Sequence, residues 1–146
     1  TSVTFPAALT CVGEGAFEGL AGLTSIGKGA FSGCSALSSI TLPAALTSIG
    51  NEAFEGCSAL ARVTFPAGLT SIGTSAFDEC YSLDSVTFPA GLTSIDSSAF
   101  SACTALAGVT FPASLTSIAP SPSPPACSYA FGFSALTSVT LPAGLT

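Results

Sequence analysis

Charge is what this chain has least of. Only 7% of its 146 residues are Asp, Glu, Lys or Arg, and just two of these, Lys28 and Arg62, are basic. The formal net charge is −6. A nucleic-acid partner needs a basic stripe to neutralise phosphates, so DNA and RNA are excluded as expected partners. His, Met and Trp are absent. Without His a Ser-His-Asp triad cannot be assembled, and most zinc sites lose their usual nitrogen ligand. No enzyme activity and no cofactor are expected. Long apolar runs are missing as well. Hydrophobic residues make up 48% of the chain and the mean hydropathy is +0.71. Yet Ser, Thr, Pro or Gly breaks every stretch before it reaches the length of about 18 residues that a membrane helix needs. Residues 97–146 carry no charge at all, whereas a free surface holds roughly 25–35% charged residues. A neutral half is expected to meet a partner or sit inside a larger assembly.

What the chain has is a period. Phe31, Phe54, Phe77 and Phe100 recur every 23 residues, as do Cys34, Cys57, Cys80 and Cys103, and Val63, Val86 and Val109. Repeats of this length predict a solenoid in which each coil buries its apolar face against its neighbours. In the coil from Leu37 to Cys57, Leu37, Ile40 and Leu42 alternate with Ser39 and Thr41, the pattern of a short strand with one face inward. Pro43 ends that strand. Leu46 and Ile49 point inward again from a second extended piece, and Gly50 turns a corner. Ala53, Phe54 and Cys57, at i, i+1 and i+4, predict one helical turn facing the core. The expected architecture is one solenoid over residues 1–146, about six coils long, of the α/β repeat class.

Two places break the period. Phe17 to Phe31 is nine residues short, leaving Val3-Thr4-Phe5-Pro6 as the only strand expected before the first full coil. Phe100 to Phe131 is eight too long, and the excess lies in a Pro-rich inserted loop over 119–129 with polyproline character. Insertions in solenoids map to loops on one face, often the binding face, which makes Pro122 and Pro124 candidate contacts. The missing Met and the final Leu145-Thr146, which opens another Leu-Thr-Ser-Ile-Gly, lead to the expectation of a fragment of a longer chain.

The unit Leu46-Thr47-Ser48-Ile49-Gly50-Asn51-Glu52-Ala53-Phe54-Glu55-Gly56-Cys57-Ser58-Ala59-Leu60 closely resembles the BspA-like leucine-rich repeats, which carry Leu-x-x-Ile-x-x-x-Ala-Phe-x-x-Cys-x-x-Leu followed by a strand and Pro. The resemblance recurs along almost the whole chain. It implies a right-handed, curved leucine-rich-repeat solenoid with short parallel strands on its concave side. It also implies a non-enzymatic role in adhesion, surface display or protein binding, at the cell surface or outside the cell.

Candidate chemistry is sparse. The cysteines at the repeat position are expected to be buried, reduced thiols, because even spacing gives none a unique partner. Cys11 and Cys127 are off register and too far apart along the solenoid to pair with each other unless it folds back. Glu14, Glu18, Glu52, Glu55, Asp78, Glu79 and Asp96 gather around the Ala-Phe turn, and Asp84 alone falls on a predicted strand. A calcium site needs oxygens converging on one point, and these form a line. Thr41, Thr64, Thr87, Thr110 and Thr140 are expected to project outward from successive strands, with Thr47, Thr70, Thr93 and Thr116 in a second row. Such arrays resemble ice-binding surfaces, although Arg62 and Gly108 interrupt the first array and Thr favours strands in any case. The expected contact surface is the strand face of Ser38, Ser39, Thr41, Arg62, Thr64, Asp84, Ser85, Thr87 and Thr110. The uncharged C-terminal coils with Pro122 and Pro124 are a second candidate. A protein-binding or scaffold module follows, with an ice-binding or purely structural solenoid and a cell-surface adhesin repeat as alternatives.

Overall fold

A computed structural model describes residues 2–3, 22–119 and 129–145. Two strands per coil repeat along it. The shorter are β1 (Ser2–Val3), β2 (Ser25–Ile26), β4 (Ser48–Ile49), β6 (Ser71–Ile72), β8 (Ser94–Ile95) and β10 (Ser117–Ile118). The longer are β3 (Ser39–Thr41), β5 (Arg62–Thr64), β7 (Ser85–Thr87) and β9 (Gly108–Thr110). All pairing is parallel, and every register within a sheet is 23 residues, Ser25 to Ser48 to Ser71 to Ser94 to Ser117. The sequence period is thus the length of one coil.

The continuous sheet is built by the Ser-Ile strands, six in the order β1-β2-β4-β6-β8-β10. The Val-Thr strands, expected to form the main sheet, make two separate pairs, β3-β5 and β7-β9. The first strand also corrects the expectation for Val3. It pairs with Ser25-Ile26 in the Ser-Ile sheet, because Thr1-Ser2-Val3 repeats the Thr24-Ser25-Ile26 pattern. The Thr-Ser corner tightens the continuous sheet. The amide and hydroxyl of Thr47 both donate to the Thr24 carbonyl at 2.8 and 3.0 Å, and Thr70, Thr93 and Thr116 repeat the arrangement.

No helix occurs among the described residues. The helical turn predicted around Ala53, Phe54 and Cys57 is a run of consecutive β-turns. Every second amide bonds three residues back, as Glu55 to Glu52 and Cys57 to Phe54. The amides between them point to the next coil: Glu52, Phe54 and Gly56 donate to the carbonyls of Thr74, Ala76 and Asp78 at 2.8 Å each. A helix would direct all of them four residues back. Residues with left-handed backbone set the alternation, two per coil and four apart: Gly29 and Gly33, Glu52 and Gly56, Ser75 and Glu79, Ser98 and Ala102, with φ from 52 to 74°.

Between strands and turns lies one continuous core. Phe31, Phe54, Phe77, Phe100 and Phe131 stack with ring centroids 5.0–5.3 Å apart and nearly parallel planes. Phe65, Phe88 and Phe111 form a second stack and meet the first edge-on. Beside them Leu46, Ile49, Leu60, Leu69, Ile72, Leu83, Leu92, Ile95 and Leu106 are almost wholly enclosed. The first stack runs across the eight-residue excess between Phe100 and Phe131 without a gap. The turn bonds resume there too, Phe100 to Ala130 and Ala102 to Gly132, each at 2.7 Å.

Candidate functional site

The period-two pattern that buries Ile40, Val63 and Val86 sends their strand neighbours outward. Thr41, Arg62, Thr64, Ser85, Thr87 and Thr110 are exposed, and Ser39 is half-buried. Register places Ser39 opposite Arg62, Thr41 opposite Thr64 and Thr87 opposite Thr110. The strand-face residues named from sequence therefore share one surface. Asp84 belongs to it differently from expectation. It precedes β7, and its carboxylate accepts the Ser85 hydroxyl at 2.8 Å. It lies 22 residues beyond Arg62, one short of a repeat, so the residue in step with Arg62 on the next coil is Ser85. Pro122 and Pro124 lie outside the described residues, as do Cys11, Cys127, Glu14 and Glu18.

The surface is not uniform. Between the two strand pairs, β5 and β7 are neighbours without a β ladder, and a groove of about 360 Å³ opens there. Arg62, Val63, Thr64, Phe65, Ser85, Thr87, Phe88 and Pro89 line it. The groove was not legible in the sequence, because every coil there carries the same strand pattern. Val63, Phe65, Phe88 and Pro89, read as core and strand-end residues, are the lining that sequence reasoning missed.

The two Thr rows have separate uses. Hydroxyls of Thr47, Thr70, Thr93 and Thr116 donate to carbonyls of the preceding coil. Those of Thr64, Thr87 and Thr110 take no part in the coil-to-coil hydrogen bonds and face outward.

The turn side is acidic. Glu52, Glu55, Asp78 and Glu79 lie on adjacent turns, and Lys28 reaches Glu52 at 3.3 Å, the one salt bridge among the described residues. Partial burial raises the pKa of Glu55, with Glu52, Asp78 and Glu79 adding repulsion. Burial likewise raises Asp78, against hydrogen bonds from Ser101 and Ser75 that favour its charged form. Among the described residues no three His, Cys, Asp or Glu side chains converge as a metal site would require. The thiols of Cys57, Cys80 and Cys103 are buried and donate to the carbonyls of Phe31, Phe54 and Phe77 at 3.1–3.3 Å. Burial pushes the Cys57 and Cys103 thiols up to about 12 and Cys80 further, so none is a ready nucleophile. Among the described residues no helix is long and apolar enough to cross a membrane.

No curated protein matches the chain. Among crystal structures, a leucine-rich repeat protein of T. pallidum is 33% identical with a TM-score of 0.66, covering 81% of this chain and 51% of its own. A leucine-rich cell surface protein of Faecalibacterium prausnitzii is 32% identical with a TM-score of 0.56, covering 85% of this chain and 38% of its own. A leucine-rich repeat protein of Eubacterium ventriosum is 28% identical with a TM-score of 0.56, covering 96% of this chain and 44% of its own. The chain thus spans about half or less of the length of these structures. Six copies of the BspA type leucine-rich repeat region match residues 24–146. Shared repeat, shared coil and shared fold agree, and the chain belongs to the BspA type leucine-rich repeat family.

Proposed function

We propose that this solenoid is a non-enzymatic module that binds a protein partner through its Val-Thr strand face, as a scaffold or a surface adhesin. The supporting observation is the division between the Thr rows. Hydroxyls of the Thr47 row hold coil to coil, while Thr64, Thr87 and Thr110 stand exposed on a face that also carries Arg62 and the groove. Similarity to a protein described as a cell surface leucine-rich protein supports display at the cell surface. The test is cross-linking of the natively isolated protein to its partner, followed by mapping of the cross-links. The module reading expects them on residues 39–41, 62–64, 85–89 and 108–110. It also expects the bulky acidic pair Thr64→Glu and Thr87→Glu to abolish complex formation while the circular dichroism spectrum is unchanged. Complex formation untouched by that pair would overturn the strand-face assignment.

A second contact surface has its own support. In the uncharged half, Tyr129, Phe133, Val139 and Leu141 are 63, 65, 43 and 55% exposed. Cross-links confined to residues 129–145 would move the interface there. Ice binding draws on the Thr64, Thr87 and Thr110 row, since the hydroxyls of the Thr47 row are already hydrogen-bonded, and ice shaping by the purified chain is its direct test.

A further inference from the structure

The sheet of Val-Thr strands is interrupted between β5 and β7, and the interruption coincides with the groove. Its two ends differ chemically. Arg62 stands at the start of β5. Phe65, Phe88 and Pro89 gather at the other end, the two rings stacked 5.7 Å apart. Three residue steps of extended chain take Arg62 to Phe65, about 10 Å. Thr64, Ser85 and Thr87 lie between them. We propose that this groove takes an extended, acidic peptide segment of a partner protein, with a carboxylate on Arg62 and an apolar side chain at the Phe65–Phe88–Pro89 end. The proposal rests on the protein-binding reading and names the class of segment bound.

Charge accounting supports the occupant. The chain has two basic residues, and Lys28 is paired with Glu52 on the turn side. Arg62 is exposed, and the one salt bridge among the described residues is not its own. The nearest acid on the adjacent coil, Asp84, is out of step with Arg62 and accepts the Ser85 hydroxyl. In step with Arg62 are Ser39 and Ser85, which bring no charge. A guanidinium placed this way offers a planar fork that a carboxylate matches with two hydrogen bonds. The acidic turns repel the same ligand, which disfavours the turn side against this face. The volume lies within the ~300–1,000 Å³ of small-ligand clefts, enough for a short stretch of peptide and too little for a folded domain.

The experiment uses short fluorescein-labelled peptides with one Glu and a Leu three positions later, each beside a counterpart with Gln for Glu. Anisotropy titration is run against the full chain at low and physiological salt. The Glu peptide is expected to bind roughly two- to fivefold more tightly than the Gln peptide, with the advantage shrinking as salt rises. Arg62→Gln should erase the advantage, and Asp84→Asn should keep it. Equal binding of Glu and Gln peptides, a preference that survives Arg62→Gln, or no binding by either peptide would overturn the proposal. The last outcome with partner cross-links still on the strand face would leave the protein-binding reading intact. Cross-links elsewhere would remove the groove proposal and the strand-face assignment together.

Discussion

Phe77 shows what one residue carries in this fold. Its ring stacks on Phe54 at 5.0 Å and on Phe100 at 5.1 Å and receives the edge of Phe65. Truncation opens a cavity between two coils that cannot close without breaking their hydrogen bonds. Phe77→Ala is expected to cost about 3–5 kcal/mol, read from urea denaturation, and a loss below about 1 kcal/mol would contradict the central stack. The cysteines next to this column make a chemical prediction. With their thiols raised by burial, Cys57, Cys80 and Cys103 should resist a thiol reagent in the native chain and react together once denaturant unfolds it. Rapid native labelling would mean the column is open to solvent. Inward placement of Phe, Cys, Leu and Ile was legible in the sequence, because identical residues 23 apart must occupy identical places in every coil.

Among the elements, strands were easier to read than turns. Alternation around Ile40 and Val63 marked the strands, and Pro43 marked their ends. The Ala-Phe-x-x-Cys spacing fits a helical turn and a run of β-turns equally well. The discriminating signal lay in the glycines: Gly29 and Gly33 sit four apart on either side of Phe31, where left-handed backbone is needed. Later coils place Ser98 and Ala102 in those conformations, at φ 57 and 52°. A side chain there costs about 1–2 kcal/mol, while glycine loses part of that advantage to the freedom of the unfolded chain. Ala102→Gly should therefore stabilise the chain by about 0.5–1 kcal/mol, measured by the shift in denaturation midpoint. Destabilisation would mean that the Ala102 methyl group packs usefully. The break between β5 and β7 lay beyond sequence reading. It depends on how two near-identical coils lie against each other, which no single residue encodes.

At the scale of the whole molecule, each coil meets only its neighbours, so local effects add along one axis. The acidic turns are such an array. Glu55 and Asp78 have folded pKa values raised above the ordinary 4.5 and 3.8. The folded chain therefore holds protons more firmly than the unfolded one. Their contribution to stability is complete below the ordinary values and is lost as pH rises through the raised ones. The urea midpoint should be higher at about pH 3.5 than at about pH 7.5, and Glu55→Gln with Asp78→Asn should flatten the difference. An unchanged slope in that double variant would assign the effect elsewhere. The hydrogen bonds between coils carry a sense of direction as well. On the turn side, the peptide units joining 51–52, 53–54 and 55–56 aim N–H forward along the axis and C=O backward. On the strand side, units 47–48 and 49–50 aim the opposite way, with Ser48 and Gly50 donating back to Thr24 and Ile26. The two rows of peptide dipoles oppose each other, so stacking coils builds up little axial field, unlike the aligned units of an α-helix. Each face of a regular coil is instead polarised across its width, donors on one flank and acceptors on the other. A coil rotated or reversed on that face would set donor against donor, so only a coil stacked in the same sense and phase can extend the column.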